Sequence, residues 1–330
     1  MNHLINIARQ FVKKGKVIEV RELGDGNINQ TFLVTVNSEI NNFVLQQINT
    51  RVFTQPELVM DNILTITNHV DRKLANSSLY NKRRWQVPQV LFTTTNQSYY
   101  VDHDRNFWRA ISYINNASSY NTVRDLQHAQ ELGYGLGLFH SLISDLDITQ
   151  LADTLPGFHI TPQYFKQYKV AINNNLKQTT EVKYCQHFIA ERRGIIDVLE
   201  RAKARGILKI RPIHGDPKIN NIMIDRNSKA IALIDLDLAA AILQGYLTIA
   251  RDFITREEIN YIYDSIRLIT FELGLRFFTD YLNNDIYFKV NYPEHNLNRA
   301  LVQFKLVKSI EYQAETIKTL ICNLSNTKHD

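Results

Sequence analysis

The spacing of apolar residues changes once along this chain of 330 residues, near residue 115. Before that point, short β-rich runs are separated by Gly, Asn and Ser, a pattern that is typical of strands joined by turns. After it, apolar residues recur three and four positions apart, which is typical of helices. The sequence therefore predicts an α+β protein with a small β-rich N-lobe and a larger, mainly helical C-lobe.

The predicted elements follow this division. In the first part, one helix covers residues 57–74, and strands cover residues 17–22, 31–36, 43–47, 87–93, 98–102 and 107–114. In the second part, the predicted helices cover residues 123–144, 162–174, 187–205 and 294–324. The change at Tyr113–Asn116 is the expected hinge, so we predict an N-lobe of residues 1–114 and a C-lobe of residues 115–330.

One polar segment interrupts the helical part of the sequence. A His-Gly pair precedes Asp216, Asn221 follows five residues later, and Asp235 follows fourteen residues after that. Two apolar runs, at residues 222–224 and 231–234, flank a polar turn. If these runs pair as a hairpin, they bring the two carboxylates and the amide to one edge.

This set of side chains is the one that phosphoryl transfer from ATP needs. Asp216 would orient an acceptor hydroxyl and take its proton, while Asn221 and Asp235 would bind Mg²⁺. Asp and Asn in a polar loop can also serve turn chemistry alone, but the flanking strands favour the catalytic interpretation. Asp237 is either a further metal ligand or the cap of a helix that begins near Leu238.

Two features of the β-rich part fit a nucleotide site. Gly24, Gly26 and Asn27 lie in the first predicted hairpin, where glycines let backbone N–H groups approach ATP phosphates, although a plain hairpin turn explains them equally well. On the third strand, Gln46, or its neighbour Gln47, stands where protein kinases carry a phosphate-pairing lysine. The alternative is that both amides face solvent.

A second group of glycines has a different interpretation. Gly133, Gly135 and Gly137 resemble a dinucleotide loop, but they lie within a helical apolar pattern and no βαβ strand precedes them. We therefore predict close helix packing at these positions. His140, near the end of the same helix, is expected to be structural.

Composition narrows the class of protein. The net charge of +5 suits anionic ligands such as nucleotides. The basic residues between positions 192 and 211 alternate with acidic and apolar ones, so we expect no nucleic-acid partner. No apolar run is long enough to cross a membrane, and two distant cysteines favour a reducing compartment. We expect a cytoplasmic protein with no membrane partner.

Several segments together resemble the aminoglycoside phosphotransferase/choline kinase superfamily, and within it the N-acetylhexosamine 1-kinases. The matching segments are residues 24–34, 43–49, 118–123, 214–225, 234–237 and 274–300, together with the pairs Phe158-His159 and Thr161-Pro162. The resemblance implies a bilobal protein-kinase-like fold, ATP and Mg²⁺ as cofactors, and transfer of the γ-phosphate to the anomeric hydroxyl of a sugar. It also implies that Asp216 is the catalytic base and that Arg276 and Tyr287 line the sugar pocket. The composition of the polar and aromatic segment 276–299 is equally compatible with two interpretations. One is a binding site for a polyhydroxyl ligand, and the other is a packed helix junction.

The chain departs from this family at one place. In the family, a loop and a further acidic-glycine element follow the segment around Asp235, whereas here Asp237 runs directly into an apolar helical segment. Two alternatives therefore stand beside the sugar kinase. One is a kinase of another small hydroxyl compound, of the aminoglycoside, choline or homoserine type. The other is a nucleotide-binding remnant with impaired catalysis.

Overall fold

The computed structural model describes residues 2–24, 28–38, 41–76, 85–174, 177–215, 222–224 and 236–326. The chain divides into two compact units. The first comprises Met1–Val123, Leu138–Pro156 and Arg211–Ala230. The second comprises Arg124–Gly137, Gly157–Ile210 and Ile231–Asp330.

An antiparallel sheet dominates the first unit. Its strands are β1 (Val17–Glu22), β2 (Gln30–Val36), β3 (Asn42–Ile48), β4 (Val90–Leu91), β5 (Tyr100–Val101) and β6 (Phe107–Ser112). The strand order is β1-β2-β3-β6-β4, and β5 also pairs with β6. The predicted strands 87–93 and 98–102 are thus shorter than expected, since β4 and β5 have two residues each. Two helices of this unit are α1 (Asn2–Arg9) and α2 (Pro56–Asn76).

The two faces of the sheet carry different side chains, because successive residues of a strand point to opposite sides. On one face, Phe43 and Leu45 of β3 pack in a buried cluster with Phe11, which follows α1. On the other face, Ile48 packs against Met60 of α2. Gln46, two residues before Ile48, therefore lies on the same face as α2.

The second unit is helical. Its helices are α4 (Thr161–Asn173), α5 (Thr180–Glu191), α6 (Val198–Ala204), α7 (Leu236–Ala250), α8 (Arg256–Ile259), α9 (Ile262–Leu282), α10 (His295–Tyr312) and α11 (Ala314–Asn326). Helix α3 (Leu126–Ile143) contributes residues to both units. In the main core, the rings of Phe188 and Phe304 stack with centroids 4.6 Å apart. Gly274 of α9 leaves room for Phe304, since an added Cβ would lie 2.6 Å from its ring.

Gly133 and Gly137 of α3 lie against the backbone of α7, which agrees with the predicted helix packing. A Cβ built on Gly133 would lie 1.8 Å from the carbonyl oxygen of Ile242 in α7. The contact is reciprocal, because a Cβ on Gly245 of α7 would lie 2.0 Å from the carbonyl oxygen of Gln130 in α3. The backbones of α3 and α7 approach so closely that no side chain fits between them. The dinucleotide-loop alternative is excluded by this helical environment.

The predicted α+β class, with an antiparallel N-terminal sheet and a helical C-terminal part, is confirmed. Two predicted helices are wrong as single elements. The segment 187–205 is interrupted by a 3-10 turn at Arg193–Ile195, where Gly194 weakens the helix. The segment 294–324 is interrupted at Gln313, with apolar positions continuing on both sides. None of the helices in the described ranges is long and apolar enough to span a membrane.

Candidate active site

Three polar side chains form a row across the sheet of the first unit. In the strand register, Gln46 of β3 lies opposite Thr31 of β2 and Arg109 of β6. Its Nε2 donates to Thr31 Oγ1 at 3.0 Å, and its Oε1 accepts from Arg109 Nε at 3.0 Å. The Gln46 amide is therefore half-buried and held at both ends, and it is not a solvent-facing strand residue.

The turn that follows β1 begins at Gly24. Its φ of +74° lies in the left-handed region that favours glycine, and a Cβ there would meet nothing within 4 Å. Gly26 and Asn27 lie outside the described residues. At the far end of the turn, Asn29 Oδ1 accepts from the backbone N–H of Asn49 at 3.0 Å. This bond ties the predicted phosphate loop to the end of β3, and no sequence pattern indicated it.

His140 supports the segment that leads to Asp216. The backbone N–H of His214 donates to Nε2 of His140 at 3.4 Å, and the His214 ring contacts Phe139 edge-on at 5.7 Å between centroids. Burial, with a smaller electrostatic contribution from His214, lowers the pKa of His140 to about 4. His140 is therefore neutral at pH 7, so its Nε2 can accept this hydrogen bond. The structure agrees with the structural role predicted for His140.

The three residues of the predicted catalytic set, Asp216, Asn221 and Asp235, lie outside the described residues. Between them, Ile224 forms an isolated antiparallel bridge with Ser118, with both N–H···O distances at 2.8 Å. Helix α7 begins at Leu236, two residues earlier than predicted. Asp237 thus belongs to the first turn of α7 and does not precede the helix as a cap.

In the second unit, the structure brings Arg276 and Tyr287 together. The guanidinium carbon of Arg276, on α9, lies 5.9 Å from the ring centroid of Tyr287. Three further rings surround it, at 5.5 Å for Phe158, 4.8 Å for Tyr164 and 5.6 Å for Phe288. We call these five residues the Arg276 cluster. Tyr287 is 67% exposed, so one side of the cluster is open to a ligand.

A buried carboxylate fixes the backbone beside the Arg276 cluster. Glu272, one helical turn before Arg276 on α9, is only 2% exposed. Its two oxygens contact His159 Nδ1 at 2.8 Å and Thr161 Oγ1 at 2.7 Å. His159 has a left-handed φ of +58°, and the Glu272 contact holds it in that conformation. Phe158, the preceding residue, is thereby positioned over Arg276.

A second carboxylate holds the segment that carries Tyr287. Asp280 of α9 accepts hydrogen bonds from the backbone N–H groups of Tyr287 at 2.8 Å and Phe288 at 2.9 Å. It also accepts from Asn296 Nδ2 at 3.0 Å, and Asn296 reaches Asp285 at 2.9 Å. Sequence reasoning missed Asp280 and Glu272, because a lone acidic residue in an apolar helix gives no sign of its partners.

The comparisons with known proteins agree with this architecture. Residues 19–243 match the family described as the phosphotransferase enzyme family. A solved structure of the microcompartment-associated aminopropanol kinase is 12% identical, with a TM-score of 0.57 over 96% of this chain and 99% of that chain. Choline kinase from Cryptosporidium parvum Iowa II is also 12% identical, with a TM-score of 0.53 over 98% of this chain and 99% of that one.

A third similar structure is a spectinomycin phosphotransferase in complex with ADP and spectinomycin. It is 11% identical, with a TM-score of 0.50 over 92% of this chain and 94% of that chain. At such identities these structures show a shared fold, whereas the family match covers more than half of the chain. The chain therefore belongs to the phosphotransferase enzyme family.

Proposed function

We propose that this protein transfers the γ-phosphate of ATP to the anomeric hydroxyl of an N-acetylhexosamine or hexose. The observation that carries this proposal is the Arg276 cluster, in which a guanidinium among aromatic rings lies beside the exposed Tyr287. Aromatic faces pack against sugar rings, and guanidinium and phenol groups donate to sugar hydroxyls. The resemblance to N-acetylhexosamine 1-kinases selects the same two residues.

In the proposed mechanism, Asp216 orients the acceptor hydroxyl and receives its proton. Asn221 and Asp235 supply an amide oxygen and a carboxylate, which is the donor chemistry that Mg²⁺ prefers. When bound, this ion would neutralise charge on the phosphates. We assign the phosphate loop with Gly24, Gly26 and Asn27 to an N-lobe of residues 1–114. The catalytic residues belong to a C-lobe of residues 115–330.

Electrostatics at the Arg276 cluster favour a sugar over a cationic acceptor. A choline-type or aminoglycoside acceptor carries positive charge, and Arg276 would place a like charge beside it. A neutral polyhydroxyl compound has no such repulsion and accepts hydrogen bonds from the guanidinium. A homoserine-type acceptor remains an alternative, since its carboxylate would pair with Arg276.

The second alternative, an impaired nucleotide-binding protein, is favoured by the start of α7. This helix begins at Leu236, the residue that directly follows Asp235 in the sequence. In the resembling family, a loop stands at this place, beside the metal site. Loss of turnover with retained nucleotide binding is therefore the competing hypothesis.

One experiment separates these functions. Purified protein is incubated with MgATP and N-acetylglucosamine, N-acetylgalactosamine, glucose, galactose, choline, homoserine or an aminoglycoside, and the phosphorylated product is detected directly. We expect product from a sugar, and loss of that product in Asp216→Asn with nearly unchanged ATP affinity. Wild-type turnover in Asp216→Asn would contradict the role of Asp216. ATP binding without product from any acceptor would favour the impaired protein.

Matched variants test the acceptor site. Arg276→Met retains much of the side-chain volume and removes the charge, so we expect a higher KM for the sugar and an unchanged KM for ATP. The control is Arg205→Met, an exposed arginine that follows α6. If Arg276→Met left the KM for the sugar unchanged, the Arg276 cluster would not be the acceptor site.

A further inference from the structure

Arg109 on β6 places a positive charge on one face of the sheet of the first unit. It lies on β6 between the buried residues Phe107, Trp108 and Ala110. Within the described part of the chain, no carboxylate lies within ion-pair distance of its guanidinium, and its hydrogen bond is to the neutral Gln46 amide. Burial lowers the pKa of Arg109 to about 10, so the group is still charged at pH 7.

A half-buried charge with no carboxylate beside it opposes folding, because desolvation of the ion is not offset by an attractive partner. The face that α2 presents to this part of the sheet does not supply one. Met60 is the α2 residue packed against Ile48 and Phe107, whereas Glu57 and Asp61 of the same helix are exposed. The free protein therefore holds Arg109 in a state that an anionic ligand would stabilise.

The strand register shows where that ligand would bind. Gln46 occupies the β3 position at which protein kinases carry their phosphate-pairing lysine, and Arg109 is its direct partner on the neighbouring strand. The hydrogen bond from Arg109 Nε to Gln46 Oε1 uses one N–H of the guanidinium and fixes its plane. The two terminal nitrogens remain available for a bidentate contact, the geometry that phosphate favours.

We propose that Arg109, held in place by Gln46, is the cation that binds the phosphates of the nucleotide. In protein kinases the corresponding positive charge lies on β3, whereas in this protein it lies on β6 and is positioned by Gln46. This inference rests on the proposed use of ATP. It explains why a neutral amide suffices on β3, and why a half-buried charged side chain lies beside it without a carboxylate.

The test measures nucleotide affinity in the full-length chain. ATP, ADP and adenosine are titrated into wild type, Arg109→Met and the control Arg105→Met, which alters an exposed arginine in the turn before β6. We expect Arg109→Met to bind ATP and ADP about 10- to 100-fold more weakly, the range for a lost charged hydrogen-bond pair. Adenosine affinity should be unchanged, and Arg105→Met should match wild type.

A charge-transfer variant separates phosphate binding from a structural role. In Gln46→Lys/Arg109→Met, the cation returns to β3, and we expect ATP affinity to recover at least about tenfold over Arg109→Met alone. The melting temperature of ligand-free Arg109→Met should equal or exceed that of wild type, because a half-buried charge with no carboxylate beside it is removed. A purely structural Arg109 predicts a lower melting temperature and no recovery.

Each contrary result has a distinct meaning. If wild type binds ATP and Arg109→Met binds it equally well, the inference is wrong and the proposed function stands. If wild type binds neither ATP nor ADP, both the proposed function and the inference are wrong. If Arg109→Met loses adenosine and ATP affinity alike, melts lower and is not rescued by the double variant, Arg109 is structural and the inference is overturned.

Discussion

At the scale of single residues, the polar groups near the candidate site are held by side chains from other elements of the fold. Gln46 is fixed by Thr31 and Arg109, and the backbone of Tyr287 is fixed by Asp280. The sequence motif could predict Gln46 and Tyr287 because each lies in a recognisable segment. It could not predict Arg109, since one basic residue among Phe, Trp and Ala carries no periodic signal.

His140 makes the free energy of unfolding depend on pH. In the unfolded chain its pKa is about 6.5, whereas in the folded protein it is about 4. Between these values the unfolded chain binds more protons, so stability is full above pH 6.5 and falls as the pH drops towards 4. The loss from this residue is at most about 3 kcal/mol.

Urea unfolding of wild type and His140→Gln between pH 4 and 7.5 measures this contribution of His140 to the free energy of unfolding. The glutamine retains an acceptor for the His214 N–H and does not titrate, so the difference between the two proteins should shrink as the pH falls. A constant difference across that range would show that His140 is not the group responsible.

At the scale of elements, the sequence predicts the first three strands better than the helix ends. The strands β1, β2 and β3 lie within one residue of the predicted bounds, because alternation and turn residues both mark them. The interruption at Gln313 was missed because apolar residues keep their spacing through it. The break is local: Gln313 Nε2 donates to Ser309 Oγ at 3.1 Å, and periodicity does not report such a bond.

The crossing of α3 and α7 gives a prediction at this scale. In Gly133→Ala, the new Cβ would meet the Ile242 carbonyl at 1.8 Å, so the helices must separate. We expect a loss of about 1–3 kcal/mol in the free energy of unfolding, or more. Denaturant unfolding measures it.

The matched control for that variant is Gly194→Ala. Nothing lies within 4 Å of a Cβ at this position, and its φ is not in the left-handed region. We expect no loss of stability there, and a gain of up to about 1 kcal/mol from reduced freedom of the unfolded chain. Equal losses in the two variants would contradict the packing account of Gly133.

At the scale of the whole molecule, the antiparallel sheet and the helical unit were predictable from the change of periodicity near residue 115. No single boundary in the sequence separates the two compact units. The segments Leu138–Pro156 and Arg211–Ala230 belong with the sheet, although they follow residue 115. Tertiary contacts made by these segments decide their membership. Apolar spacing, which reports only local structure, carries no information on that point.

Ligand-linked stability tests the whole molecule independently of turnover. If the protein binds nucleotide, MgATP at 100 times its dissociation constant should add about 2.7 kcal/mol to the free energy of unfolding. This gain is expected both for a working kinase and for an impaired one, so it separates nucleotide binding from catalysis. Thermal unfolding with and without MgATP measures it, with Mg²⁺ alone as the control. No shift over Mg²⁺ alone would argue against a nucleotide site.

The reciprocal contact of Gly133 and Gly245 also has an evolutionary consequence. At most pairs of residues in contact between helices, both positions can change during evolution, because a larger residue on one helix is offset by a smaller one on the other. Here neither partner can shrink, since each is already glycine and each faces backbone. The pair should therefore be invariant in working descendants of this chain and leave no covariation, although the two positions lie on different helices.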